Sequence, residues 1–399
     1  MDFLVGIIPF IFIISVIVTI HEYGHYGVAR LFKTRVDRFS IGFGKVLWSR
    51  KDKDGVEWAI SALPLGGYVK FSGDDSITSM IPSKEELEQA RANITEKEGA
   101  AAVSDYYHFK PLYQRFLIVL AGPMANFVLA VFAFMIIGLA TPRVIYPPII
   151  IEIESGSAAA MAGMKAGDII QKVDGKPVTG SDEVSIMVKL RADTPVVFEI
   201  KRGQEILNLT ASVRREVMIE NNPSGRLKEG RLGIRMGGKP TIKNQNILEA
   251  FGYGIHRTTQ SLETNLTYIS RIFVGKEDGS QMSGILGMTK ATGTITQNIS
   301  NSDVSLSQKA WYGFIIYLHL AALISVGVGF INLVPIPPLD GGHLAFYAYQ
   351  GLTGQSIDVG VQNAVFKVAI VLVFGLMIFA FWNDVHNTGL VKFFEGLFS

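Results

Sequence analysis

No cysteine occurs among the 399 residues. Disulfide frameworks and thiolate metal sites are therefore excluded, and any bound metal must be held by histidine or carboxylate. Charge is scarce as well: Asp, Glu, Lys and Arg make up 18% of the chain, against roughly 25% in an ordinary soluble domain. The charges nearly cancel, with 37 basic and 35 acidic side chains, so there is no basic surplus for a nucleic-acid partner. With 48% hydrophobic residues and a mean hydropathy of +0.30, the chain reads as a protein for which the lipid bilayer is part of the surroundings.

What the chain has in quantity is long apolar runs, at residues 4–29, 116–140, 311–334 and 366–382. Each is close to the roughly 20 residues that span a bilayer as a helix. The first run has neither a basic leader nor a small-residue cleavage site, so residues 1–31 are expected to be a membrane span and not a signal peptide. It continues into His21-Glu22-Tyr23-Gly24-His25. Two histidines four residues apart on a helix share one face and can bind one zinc ion. Glu22 follows the first of them and can act as general base on a metal-bound water. Ionisable groups at membrane depth are costly unless they pair, coordinate or line water, which points to function.

Flanking charge sets the expected orientation. Lys33, Arg35, Arg38, Lys45, Arg50 and Lys51 follow the first run, and Lys110 and Arg115 precede or open the second. The positive-inside tendency then places this connector in the cytoplasm, the N-terminus outside, and residues 144–309 on the far side of the membrane. Within the connector, residues 36–71 are rich in Val, Ile, Phe and Trp with glycine turns, which predicts small β-hairpins. They end in Pro64-Leu65-Gly66-Gly67-Tyr68, where paired glycines let another backbone approach closely. Residues 82–99 are charged and helix-prone, a solvated face. The second run carries Ala121-Gly122-Pro123-Met124-Ala125-Asn126. Its small residues permit close helix packing, and Asn126 can join a neighbouring helix or support a metal ligand from behind.

The insert begins as a compact module. A strand near 149–154, the segment Ala162-Gly163-Met164-Lys165-Ala166-Gly167-Asp168, a turn at Val173-Asp174-Gly175, a helix near 181–190 and strands near 196–201 and 207–213 follow one another. That order resembles a PDZ domain of the bacterial form, with Gly156-Ser157-Ala158 where Ser-Pro-Ala is usual. Such domains take an extended peptide at a sheet edge, so a peptide terminus is an expected ligand and a passive size filter the alternative. Residues 247–274 place apolar side chains at helical spacing, which predicts an amphipathic helix or helix pair on the membrane face or on the preceding domain. His256 within it is expected to be solvated.

The third run ends in Asn332-Leu333-Val334-Pro335-Ile336-Pro337-Pro338-Leu339-Asp340-Gly341-Gly342-His343. Three prolines interrupt the helix, and non-helical backbone near membrane depth must be buried in protein or line a cavity. Catalytic zinc commonly takes three protein ligands and leaves a fourth position to water. Asp340 is the natural third beside His21 and His25, with His343, His319 and His386 as competitors. Asn332 can donate to a substrate carbonyl or oxyanion, or satisfy backbone freed by the prolines. Trp382-Asn383-Asp384 is expected to mark a membrane interface.

Taken together, these segments closely resemble the site-2 protease family of intramembrane zinc metalloproteases, in particular the bacterial regulators of envelope stress with a PDZ domain. The resemblance is carried by the His21–His25 motif, by Pro64 through Lys70, by Ala121-Gly122-Pro123 with Asn126, and by Asn332 through Gly342. Residues 109–115 and Ser283-Gly284-Ile285-Leu286-Gly287 also fit, with Ile285 where a proline is usual. It implies one zinc ion held by His21, His25 and Asp340, Glu22 as catalytic base, and Asn126 behind the ligands. It further implies an edge strand at Gly66, Gly67 and Tyr68 that, with Asn332, holds an unwound substrate segment. The implied fold is a polytopic α-helical membrane protein of about four spans with membrane-associated hairpins and an inserted α+β PDZ domain.

The expected layout is a first span (1–31), the hairpin region and connector (32–110), a second span (111–141), the PDZ domain (142–240), an amphipathic region (241–310), a third span (311–345), and a fourth span with the C-terminal tail (346–399). The implied location is the bacterial inner membrane with the PDZ domain periplasmic. The implied substrates are single-span membrane proteins already shortened outside, such as an anti-sigma factor or a signal-peptide remnant. A catalytically silent PDZ scaffold is the alternative. A transporter would want broken helices in internal repeats, which are not seen.

Overall fold

The computed structural model describes residues 2–73, 82–218, 227–277, 279 and 284–388. Among these residues, four helices are long and apolar enough to cross a membrane: α1 (Asp2–Leu31), α3 (Leu112–Ala140), α8 (Leu306–Leu333) and α10 (Val359–Thr388). Each contains an 18-residue window with no more than two charged side chains. The chain is thus a multi-pass membrane protein with an inserted strand-rich domain. It divides into two compact units, Met1–Ala133 with Met288–Ala380, and Phe134–Gly287 with Phe381–Ser399.

In the first unit the hairpin expectation needs correction. Residues 36–71 form only two long strands, β1 (Val36–Lys51) and β2 (Glu57–Phe71), joined by the Lys53-Asp54-Gly55 turn. Gly42 and Gly44 are not turns between separate hairpins. They take φ of 90° and 86° inside β1 and bend it, a backbone open to glycine at no steric cost. The first half of β1 therefore pairs on one side with the end of β2 (Ser40 with Tyr68, Ile41 with Gly67). On its other side it pairs with the start of β2 (Ser40 with Ala59, Ile41 with Ile60), which also pairs with the end of β1 (Arg50 with Trp58). Two bent strands thus give a sheet four segments wide, with residues 67–71 as one edge. Phe39, Val56, Ile118 and Ala29 form the core beneath it.

Helix α2 (Lys84–Glu98) follows, with a Ser83–Glu86 capping box and no buried side chain, as its charge pattern predicts. Helix α8 stops at Leu333, and the short α9 (Asp340–Thr353) begins after the proline segment.

The second unit holds a mixed helix–strand domain. Its elements are β3 (Arg143–Ile145), β4 (Ile149–Ile153), α4 (Ala158–Met161), β5 (Ile169–Val173), β6 (Lys176–Pro177), α5 (Ser181–Lys189), β7 (Thr194–Arg202), β8 (Glu205–Met218), β9 (Leu227–Arg231), β10 (Ile234–Gly237) and β11 (Thr241–Lys243). The sheet runs β10-β4-β5-β7-β8-β9, with β6 on β5, and β11 pairs separately with β3. Alternating side chains of β7 (Val196, Phe198, Ile200) fill a core closed by Val184 and Val188 of α5. Helix α6 (Ile247–Phe273) is amphipathic, as its spacing predicts, and leaves Ile247, Leu248, Phe251 and Ile255 exposed. His256 on it lies 3.6 Å from Glu183 and is half exposed. Helix α7 (Ile285–Ser300) comes next. Asp384 of α10, expected at an interface, has a packing role that its sequence position did not show. It is 3% exposed and accepts from the N–H groups of Gly284 (3.0 Å) and Gly287 (2.9 Å), capping the start of α7.

One ion pair makes the domain acid-sensitive. Arg202 donates to both oxygens of the fully buried Asp168 at 2.8 Å, and Lys165 N–H adds a third bond at 2.8 Å. The guanidinium holds the Asp168 carboxyl below the ordinary carboxylate range. A lowered folded pKa adds stability above the unfolded value of about 3.9, and that stability is lost as pH falls through the folded value. Arg202→Met is therefore expected to speed amide exchange in β5 and β7 of the whole protein at neutral pH, with the difference from wild type shrinking as pH falls through the carboxylate range. An unchanged exchange profile from neutral to acid pH would remove the pair from the domain's stability.

Candidate active site

The first half of the site is local. Helical spacing from α1 puts His21 and His25 one turn apart with their Nε2 atoms 3.2 Å from each other. The second half comes from the start of α9. Asp340 Oδ2 sits 3.1 Å from His21 Nε2 and 3.5 Å from His25 Nε2. Two glycines make that placement possible. A Cβ on Gly341 would stand 2.2 Å from the Val334 carbonyl, and one on Gly342 would stand 2.6 Å from Pro337 N. The proline segment can fold back over the first turn of α9 only because both side chains are missing.

Helix α3 fixes the histidines from behind. His25 Nδ1 donates to the Ile118 carbonyl at 2.9 Å, which leaves a lone pair on Nε2. His21 Nδ1 lies 3.2 Å from the Asn126 amide, a fully buried side chain. The atom placed there is Asn126 Nδ2, and Oδ1 has no partner; exchanging the two amide atoms, which are alike in shape, lets Oδ1 accept from His21 Nδ1–H and leaves the Nε2 lone pair free for a metal. Ser325 of α8 donates to the Asn126 carbonyl at 2.8 Å, tying α3 to α8.

This arrangement fits a cation. Two imidazole lone pairs and a carboxylate converge with their ligand atoms within 4.8 Å of one another. Asp340 Oδ2 is buried with no hydrogen-bond donor, a state that a divalent ion satisfies. Among the described residues this is the only such cluster. Of the competing histidines, His343 lines the cavity wall, His319 does not join the cluster, and the His386 side chain lies outside the described residues. So does Ser283 of the Ser283–Gly287 segment.

The cluster opens into a cavity of about 450 Å³, lined also by Glu22, Gly66, Gly67, Tyr68 and Asn332. Gly67 lies against Glu22, whose Cγ a Cβ on that glycine would meet at 3.3 Å, so the edge of the sheet faces that residue. The same Cβ would meet Ser40 O at 2.7 Å, and one on Gly66 would stand inside the Phe43 ring at 2.0 Å. Tyr68 stacks on Phe43 with ring centroids 6.2 Å apart, and its hydroxyl accepts from Arg38 at 3.2 Å.

Sequence reasoning missed Gly122. A Cβ there would lie 2.2 Å from His25 Nε2. Its segment carried the family resemblance and read as close helix packing, but neither signal tied the glycine to the His25 ring.

A pair of helix-borne histidines with a glutamate between them, completed by an aspartate beside a cavity on membrane-length helices, defines a membrane zinc metallopeptidase. Residues 9–376 match peptidase family M50, the site-2 proteases, and the chain belongs to that family as a zinc metalloendopeptidase. It is 38% identical over its whole length, and over 99% of the relative, to the metalloprotease MmpA of Caulobacter vibrioides. It is 34% identical, over 96% of this chain and 97% of the relative, to a protein of Agrobacterium fabrum whose name proposes a zinc metalloprotease. The regulator of sigma E protease of Haemophilus influenzae is 27% identical over 96% of this chain and 99% of its own.

Proposed function

We propose that this zinc endopeptidase cuts the transmembrane segments of single-span membrane proteins within the bilayer, after an earlier cleavage has shortened them outside. The observation that carries the reading is a sheet edge, at Gly66 to Val69, lying against Glu22 beside the metal cluster. A transmembrane helix hides its own peptide bonds and must open before cleavage. Each backbone group left unpaired in lipid costs several kcal/mol, and adding the opened segment as a strand to this edge offsets that cost.

His21, His25 and Asp340 hold the metal, while Ile118 and Asn126 fix the two rings. A zinc ion held there would supply a Lewis acid. Glu22, beside the cluster, would serve as general base to the attacking water and return the proton to the leaving nitrogen. Asn332 donates to the substrate carbonyl, and Gly66, Gly67 and Tyr68 hold the substrate backbone.

The inserted strand-rich domain is read as a PDZ domain. In support, a groove of about 220 Å³ lies between α5 and the edge strand β10, lined by Val184, Val188, Ile234 and Arg231. An extended peptide terminus fits it by strand addition to β10. The N-terminus outside and this domain on the far side of the membrane follow from the flanking charge, the layout from the apolar runs, and a bacterial inner membrane with the domain periplasmic from the family resemblance. One relative is named a regulator of sigma E protease. A shortened anti-sigma factor or a signal-peptide remnant is accordingly the substrate class we assign.

The test is cleavage of a model single-span substrate by purified protein. A chelator should abolish it and added zinc restore it. Asp340→Ala should lose both zinc and cleavage, and zinc at wild-type stoichiometry in that variant would remove Asp340 from the ligand set.

A further inference from the structure

We infer that Ser15 of α1 sets the register in which a substrate strand meets the catalytic groups. The inference rests on the strand-addition reading above. Residues 3–20 of α1 are almost wholly apolar, and Ser15 and Thr19 are the hydroxyls among them. The Ser15 hydroxyl donates to the Pro64 carbonyl, and Thr19 donates to the Ser15 carbonyl at 2.6 Å. By helical spacing Ser15, Val18, Thr19 and Glu22 share one face of α1. Val18 and Glu22 line the catalytic cavity together with Gly66 and Gly67.

Pro64 lies between two ladder pairs, Phe43 with Leu63 and Ile41 with Gly67. It has no N–H to offer, and Ser15 takes up its carbonyl. The end of β2 is thereby held to α1 at Pro64 by Ser15, and Gly67 beyond it lies against Glu22. With Pro64 closed on both counts, the run of backbone groups open to an incoming strand starts after it, at the paired glycines. Where that run starts decides which substrate peptide bond lies at Glu22. Side chains in a strand alternate, so a slip by one residue would present the wrong face and two residues is the smallest tolerated shift.

The test compares wild type, Ser15→Ala and Ser15→Thr on a synthetic single-span substrate, with the cleaved bonds read by mass spectrometry and zinc content measured alongside. Ser15→Ala should keep its zinc, spread cleavage to bonds two residues away, and raise KM roughly three- to tenfold, the worth of one hydrogen bond. Ser15→Thr, which keeps the hydroxyl, should restore the wild-type bond. A second substrate series replaces single backbone amides with esters, and strand addition requires losses at alternate positions. Alternating losses with an unchanged bond and KM in Ser15→Ala would overturn the role of Ser15 alone. Zinc loss in Ser15→Ala would also overturn it, because the residue would then act through the fold of the metal cluster. Uniform tolerance of esters in wild type would instead overturn the strand-addition reading.

Discussion

Glu22→Gln is expected to lower peptide cleavage by roughly 10²- to 10⁴-fold, the usual worth of a general base, while the protein keeps its zinc. The substitution preserves shape. The amide fills the same space as the carboxylate, so the contact of Glu22 with Gly67 is kept and the edge strand stays against α1. The metal cluster is untouched, because the three converging groups are His21, His25 and Asp340. Only the capacity to take and return a proton is removed. The measurement is turnover of a single-span substrate beside zinc content by elemental analysis. Wild-type turnover in the zinc-loaded variant would take Glu22 out of the chemistry. Loss of zinc together with turnover would make it a structural support instead.

Gly122→Ala should cost the protein its metal. The new Cβ would lie 2.2 Å from His25 Nε2 and 2.4 Å from Cε1, so it strikes the ligand atom itself. The ring has no simple retreat, because Nδ1 is held at 2.9 Å by the Ile118 carbonyl. Swinging away breaks that bond and pulls Nε2 out of the cluster. Substitutions that merely loosen a ligand's support weaken metal binding about 10- to 100-fold. Displacing the ligand should exceed that, with turnover lost in parallel. Gly27→Ala on α1 is the control, since nothing lies within 4 Å of a Cβ there, and it should retain both zinc and activity. Zinc bound by Gly122→Ala at wild-type affinity would show that the helices can part at small cost.

The features legible without coordinates were those that depend on near neighbours along the chain. Membrane-length apolar runs and the four-residue spacing of His21 and His25 follow from helix geometry alone. The helix ends moved by a few residues, and the third span starts at Leu306 instead of near residue 311. The connector was only half legible. Its β character shows in composition, but glycines at positive φ can punctuate separate hairpins or bend one long strand. Which of these occurs depends on pairing between residues as distant as Ser40 and Tyr68. Asp384 shows the same limit at the other end of the chain. Beside a tryptophan at the end of an apolar run it reads as an interfacial residue, yet it is buried as the cap of α7.

By itself, then, the amino-acid order determined a polytopic membrane protein carrying a His-Glu-x-x-His helix, because periodicity and hydropathy are properties of short windows. The proline-segment motif already pointed to Asp340, but only the tertiary structure brings its carboxylate, and neither His343 nor His319, into the cluster with the two histidines. That placement depends on Gly341 and Gly342 letting the proline segment fold onto α9. Tertiary structure also decided that Gly122 seats an imidazole and that Ser15 holds the edge strand. A glycine or serine has the same chemistry wherever it stands. Its role is defined by which distant atom comes to lie against it, and no local pattern records that.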